Sequence, residues 1–403
     1  MMLPRLISTA MVVLFLGGGA LRADSIDEAL EEIDGYTAAL KALAQNKNEV
    51  ASVGLKQISE QELPKPVMLR VLTRLAEAEV RRKNYDAALE LFDEPGLAFE
   101  AEASYWQAIA LLGAKRAGEA EKILAEITKQ PEHPLWPEAT LTRTSLLLRF
   151  GAPEEAIKIL NPLIESSLEP YDYRARLRAA EIRLSQQQWD EVDALLDGFQ
   201  PPASMPAAEL DYLRARLSLG REDWPTALSQ LKELNAPETL ATLSPNMRDG
   251  SIISLANALR ETGDADAAAA LLHEFIDENP QSTNLGIAFD TLDSLQPFEE
   301  APIDERLLKW ANSSSPTLAG FATYFLALAQ TSAVSQDAAA ATLETLRRTY
   351  PTHPIAERAL LYLSEIYVSD GNKPNALAVL EDLRKISSSP AVLARTDFIE
   401  ASA

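Results

Sequence analysis

Three histidines are the residues of this chain best suited to metal or acid-base chemistry, and their spacing argues against both uses. His133 and His353 stand in matching contexts, PEHP and PTHP, each where one helical pair gives way to the next, while His273 has no second histidine four residues on to complete a helical ligand pair. There is no cysteine, so carboxylates are the remaining hard donors. The acid clusters Asp27 to Glu32 and Glu299 to Glu305 do not alternate oxygen ligands around a central glycine as a calcium loop does, and they read as solvated faces. No GxxxxGK[ST], GxGxxG or GxSxG pattern marks a phosphate cradle, a dinucleotide turn or a nucleophile elbow; the GGG at 17–19 falls within an apolar leader. Among 60 acidic residues, pairs of carboxylates arise everywhere and do not by themselves mark a hydrolase. No catalytic residue, metal or cofactor is expected.

The same acidity bears on partners. A formal charge of −23 disfavours nucleic acid and anionic lipid, whose phosphates require a basic face. The first 23 residues read as a secretory leader: Arg5, an apolar run from Leu6 to Leu16, and small residues up to Ala23. That run is shorter than the roughly 20 apolar residues needed to span a bilayer, so cleavage after Ala23 is expected, with a periplasmic or secreted product. The mature chain has no run long enough to span a membrane. Lacking cysteine, it can hold neither a disulfide nor a thioether-linked lipid, and packing alone must hold the fold.

The elements that position these residues follow from apolar spacing. With 47% apolar residues rich in Ala and Leu, the chain reads as all-α. From Ile355 to Val368 apolar residues recur three and four apart, Gly371 and Asn372 interrupt, and a second amphipathic run follows to Ile386. This is a helical hairpin. Its small residues Ser364 and Ala376 stand twelve apart, and so do Ala76 and Ala88, Ala108 and Ala120, Thr144 and Ala156, Ala180 and Val192, Ala215 and Ala227, Ala256 and Ala268, and Ala327 and Ala339. A bulky apolar residue follows each second member by four positions, from Phe92 to Leu380. Isolated helices have no reason to keep a fixed distance across a turn; stacked hairpins do.

These positions divide the chain. After the leader, residues 24–66 read as N-terminal capping helices or a degenerate first hairpin, with one or two helices over 25–58 and Ser25 as N-cap. Repeats fill 67–282, a degenerate repeat or joint occupies 283–316 around the breaker QPFEEAP, and repeats with a C-terminal cap fill 317–403. Trp189 and Trp224, three residues before their small slots, are expected to close the turn of their own hairpin.

The period, the small slots and the closing prolines Pro280 and Pro351 make residues 67–390 resemble the tetratricopeptide repeat family, with Met247 to Pro280 the best-matched unit. The resemblance implies a right-handed α-solenoid of stacked helix-turn-helix hairpins, with the leader pointing to the exported envelope type. It further implies that residues six before, three before and one after each small slot face a concave groove. Those offsets give Arg70, Tyr105, Arg174, Tyr212, Arg216, Asn257, Tyr324 and Arg358, with Glu77, Glu181 and Glu365. Arg174 and Arg216 are expected to contact an acidic or C-terminal peptide segment. The family's carboxylate clamp is not matched, because Ile253 precedes Asn257 where it would place a lysine. The expected function is a non-catalytic scaffold of the cell envelope that binds a protein or peptide. The alternative, a helical domain binding or processing an envelope polymer such as glycan, would want aromatics gathered on one face, and the five Trp are dispersed.

Overall fold

The computed structural model of the protein describes residues 23–97, 100–300 and 302–402, and all regular structure among them is helical. The expected leader lies outside the described residues apart from Ala23. No described helix is long and apolar enough to cross a membrane.

The chain divides into two compact units, residues 1–182 and 183–403. The first holds α1 (Ala23–Glu31), α2 (Tyr36–Ala44), α3 (Asn48–Ser59), α4 (Lys65–Arg81), α5 (Tyr85–Leu91), α6 (Ala103–Gly113), α7 (Ala117–Ile127), α8 (Trp136–Arg149) and α9 (Pro153–Glu165). Helix α10 (Tyr171–Ser185) begins in the first unit and ends in the second. The second continues with α11 (Trp189–Leu196), α12 (Ala208–Gly220), α13 (Trp224–Leu234), α14 (Pro237–Leu240), α15 (Pro245–Glu261), α16 (Ala265–Glu278), α17 (Leu285–Leu295) and α18 (Glu305–Ala311). It closes with α19 (Pro316–Ala333), α20 (Gln336–Thr349), α21 (Ala356–Ser369), α22 (Lys373–Ile386) and α23 (Pro390–Ser402).

Most hairpins form because the chain reverses in the same way. The central residue of the turn takes a left-handed conformation at Asn46, Lys83, Lys115, Gly151, Gln187, Glu222, Gly263 and Gly371, with φ between 57° and 90°. The next N–H then reaches back to a carbonyl in the last turn of the first helix, as Asn84 does to Glu79 and Asp264 to Leu259, both at 2.9 Å. In several hairpins that same residue caps the second helix: Asp223, Asp264 and Asn372 accept from the N–H three residues on. Helix exit, reversal and helix entry thus need only three residues. The α19–α20 turn differs, lacking the left-handed residue and relying on Ser335, which accepts from Ala338 N at 3.1 Å.

Packing explains the twelve-residue rule. All sixteen small-slot residues are fully buried. The polar ones satisfy themselves on their own helix, Thr144 donating to the Thr140 carbonyl at 2.8 Å and Ser364 to that of Leu361 at 2.7 Å. The leucines four positions after the second slots, such as Leu124, Leu160, Leu231 and Leu272, are completely buried, each contributing roughly 1.5–3 kcal/mol. In the second unit one continuous apolar core runs from Ala208 to Leu383.

One segment departs from the sequence reading, and the degenerate stretch 283–316 forms two helices. Residues 25–58 hold parts of three helices rather than one or two, because Gly35 breaks α1 from α2 at φ 86°, and Ser25 lies within α1 instead of capping it. Helices α2 and α3 make a hairpin whose slots Ala39 and Ala51, with Leu55 and Ile58 beyond, are buried. Residues 283–316 hold α17 and α18, which meet through side chains: Phe289 is edge-on to Trp310 at 5.5 Å and stacked on Phe325 at 5.1 Å. Phe289, Phe325 and Trp310 are all buried.

Candidate functional site

In the first unit the first helices of successive hairpins share a face knitted by polar pairs. Arg70, half-buried on α4, pairs with Glu100 at 3.1 Å, and Arg74 reaches Glu102 before α6 at 2.6 Å. Glu77 is buried between Arg74 and Arg81. Tyr105 is buried on α6, with its hydroxyl 3.5 Å from that of Thr142 on α8. Tyr171 donates to Glu138, and this bond followed by burial pushes the phenol up to about 12. Arg174 is exposed and makes no ion pair among the described residues. Glu181 pairs with Arg178 at 2.8 Å.

In the second unit Tyr212 is buried on α12 under Arg216, whose guanidinium carbon lies 5.8 Å from the ring centroid. A Cβ at Gly250 would fall 2.4 Å from the Tyr212 hydroxyl, so that hydroxyl rests against the α15 backbone. Asn257 is half-buried on the same helix.

The most informative arrangement joins three hairpins. Arg358 of α21 lies over Tyr324 of α19, 5.0 Å from its centroid, and continues to Asp290 of α17, 68 residues away in sequence, at 2.7 Å. Tyr324 is buried, and that burial raises its phenol pKa against the opposing pull of Arg358. Thus side chains from α17 and α21 meet across α19, whose aromatic ring forms the floor. Arg358 and Asp290 remain about half-exposed, so their pair contributes about 0–1 kcal/mol; the cation over the ring adds roughly 0.5–1 kcal/mol. Further along α21, Tyr362 bonds Thr331 at 2.6 Å and Glu365 pairs with Arg395 of α23 at 2.6 Å.

The structure therefore brings Tyr324 and Arg358 together and sets Tyr212 beside Arg216; Arg174 falls in the first unit and Arg216 in the second. Asp290 was missed because the slot offsets have no anchor within 283–316. Trp189 also differs from expectation. Its ring packs on Gly220 at the end of the next hairpin's first helix, where a Cβ would lie 2.5 Å from it. Tyr85 does the same at Gly113. The ring therefore locks neighbouring hairpins together instead of closing its own turn.

His133 and His353 each accept a main-chain N–H two residues on, at 3.1 and 3.2 Å, and burial lowers both pKa values. His273 lies against Arg306 and Trp310. Among the described residues no three His, Asp or Glu side chains gather where a metal could sit.

Tetratricopeptide repeat models match residues 254–282 and 336–390, which cover the α15–α16 and α20–α22 stretches. No curated protein matches the chain. Among solved structures, the Cut9–Hcn1 hetero-tetramer of the APC/C is similar at 11% identity and a TM-score of 0.53, over 98% of this chain and 74% of that one. A tetratricopeptide repeat protein from Parabacteroides merdae aligns at 16% identity over 68% of this chain and 99% of its own, with a TM-score of 0.44. Yeast Tom70 aligns at 11% identity over 91% and 94%, with a TM-score of 0.36. With repeats matched at two places, among described residues that fold chiefly as helical hairpins with buried small slots, the chain carries tetratricopeptide repeats.

Proposed function

We propose that the protein is a non-catalytic scaffold, exported to the cell envelope, that binds a protein partner along the shared face of α17, α19 and α21. One observation carries the reading. Arg358 of α21 reaches Asp290 of α17 over the intervening helix, with the buried Tyr324 ring beneath it. Its polar contacts are individually weak, so a partner that offers a carboxylate to Arg358 in place of Asp290 gives up little. Tyr and Arg are also the side chains that most often anchor protein interfaces. Repeats of this kind serve as protein-binding scaffolds, and the leader at 1–23 supports export.

The test is affinity capture from envelope extract, comparing the wild type with the Tyr324→Ala, Arg358→Ala double variant. A protein retained by the wild type at low salt should be lost by the double variant, whose helical circular dichroism is unchanged. Equal retention of every captured protein would move the binding surface elsewhere.

A further inference from the structure

We propose that His353 makes the seating of α21 on α19, and with it the partner-binding face, responsive to mild acid; the second half of this statement rests on the proposed function above. His353 lies in the junction between α20 and α21. Its Nδ1 accepts from the Ile355 N–H at 3.2 Å, and its Nε2 donates to the Thr317 carbonyl in the first turn of α19 at 3.0 Å. A main-chain donor therefore fixes the neutral ring with its proton on Nε2. A second proton would have to sit on Nδ1, facing an N–H that cannot turn away. The Ile355 bond would be lost, and like partial charges would confront each other.

One side of the half-buried ring is closely packed. It lies on Gly320, where a Cβ would come within 2.6 Å, and edge-on to Phe321 at 4.7 Å. Phe321 in turn stacks on Phe289 of the aromatic core. Nor is there charge to compensate. What faces the ring is Thr317, Gly320 and Phe321 from α19, the Ile355 N–H ahead of α21 and the Tyr350 ring after α20. Tyr350 is the one titratable group in that set, and no carboxylate or cation acts on the imidazole.

Two other junctions serve as internal controls. His133 makes the same turn, accepting from Leu135 N at 3.1 Å, but the carboxylates of Glu102, Glu132 and Glu138 act on it and favour its charged form. Ser282 stands at the same place before α17, accepting from Asn284 N at 3.0 Å and donating to the Asp249 carboxylate, with no imidazole to protonate. His353 alone of the three is both titratable and uncompensated.

The link to the face is direct. Thr317 and Tyr324 lie on α19, and Arg358 lies on the first turn of α21, which His353 ties down. The sign follows from burial, which lowers the His353 pKa in the folded state. The opened junction binds the proton more readily. The contribution of His353 is therefore complete above the ordinary imidazole value of about 6.5 and is lost as pH falls below it, through the folded value.

Hydrogen exchange of the full chain at pH 7.5 and 5.5, corrected for the chemical exchange rate, tests this. In the wild type, opening of residues 356–369 should rise several-fold at pH 5.5 relative to residues 245–261. His353→Ser, which copies the Ser282 turn, should abolish that selective rise, and so should His353→Asn. A wild type in which the two helices change in parallel overturns the proposal, whether or not the variants fold. So does a selective rise that persists in both folded variants. If the rise is present but Arg358→Ala leaves capture of every envelope protein unchanged, the junction stands and the binding face fails. If capture is lost and no rise occurs, the face stands and the junction fails.

Discussion

Ala256 carries the packing logic of the whole chain in one residue. It is fully buried opposite a second helix, in a repeat that a family model matches. Ala256→Trp should overfill that slot and cost at least about 1–3 kcal/mol in denaturant unfolding; an unchanged midpoint would mean that the slot is not tight. The turn residues make the opposite prediction. Lys115 sits at φ 63°, a conformation that costs an L-residue roughly 1–2 kcal/mol and costs glycine nothing sterically. Part of that gain returns as chain entropy, so Lys115→Gly should stabilise by up to about 1 kcal/mol. A lower melting temperature in the variant would contradict the assignment. The slots were legible in sequence because the contact they serve tolerates few side chains. The left-handed turn residues were not, because Lys, Gln and Glu give no local sign of the conformation that the hairpin imposes on them.

Hairpins are the elements on which sequence reasoning did best, and its failures have physical causes. The α2–α3 hairpin keeps the spacing, Ala39 and Ala51 with Leu55 beyond, and a search for the twelve-residue pair before Val67 would have found it. Between 283 and 316 the small-slot contact is replaced by interlocking aromatics, which leave no fixed spacing to read. The Asp290–Arg358 pair depends on the register of three hairpins at once, and no local pattern encodes that. The aromatic packing makes its own prediction: Phe289→Ala removes a ring in contact with Phe298, Trp310, Phe321 and Phe325, and should cost about 3–5 kcal/mol. It should also make residues 296–304 the first site of limited proteolysis, while the wild type resists at the same dose. Equal resistance would show that the rings do not hold that segment.

Within each unit stability should be spread over neighbouring hairpins, as expected of repeats that chiefly contact their neighbours. No disulfide contributes, since the chain has no cysteine. Export would remove Arg5 and Arg22 and no acid, taking the formal charge from −23 to −25. Intact mass of the native protein should therefore correspond to a chain beginning at Asp24; a species still carrying Met1 would refute cleavage. The central claim is that the first-helix face of α17, α19 and α21 receives a protein partner. A photo-crosslinking residue in place of Glu365, on that face, should trap one discrete protein in intact cells, whereas the same residue in place of the exposed Glu381 on α22 should not. Crosslinks from position 381 alone, or none from 365 while a partner still co-purifies, would contradict it.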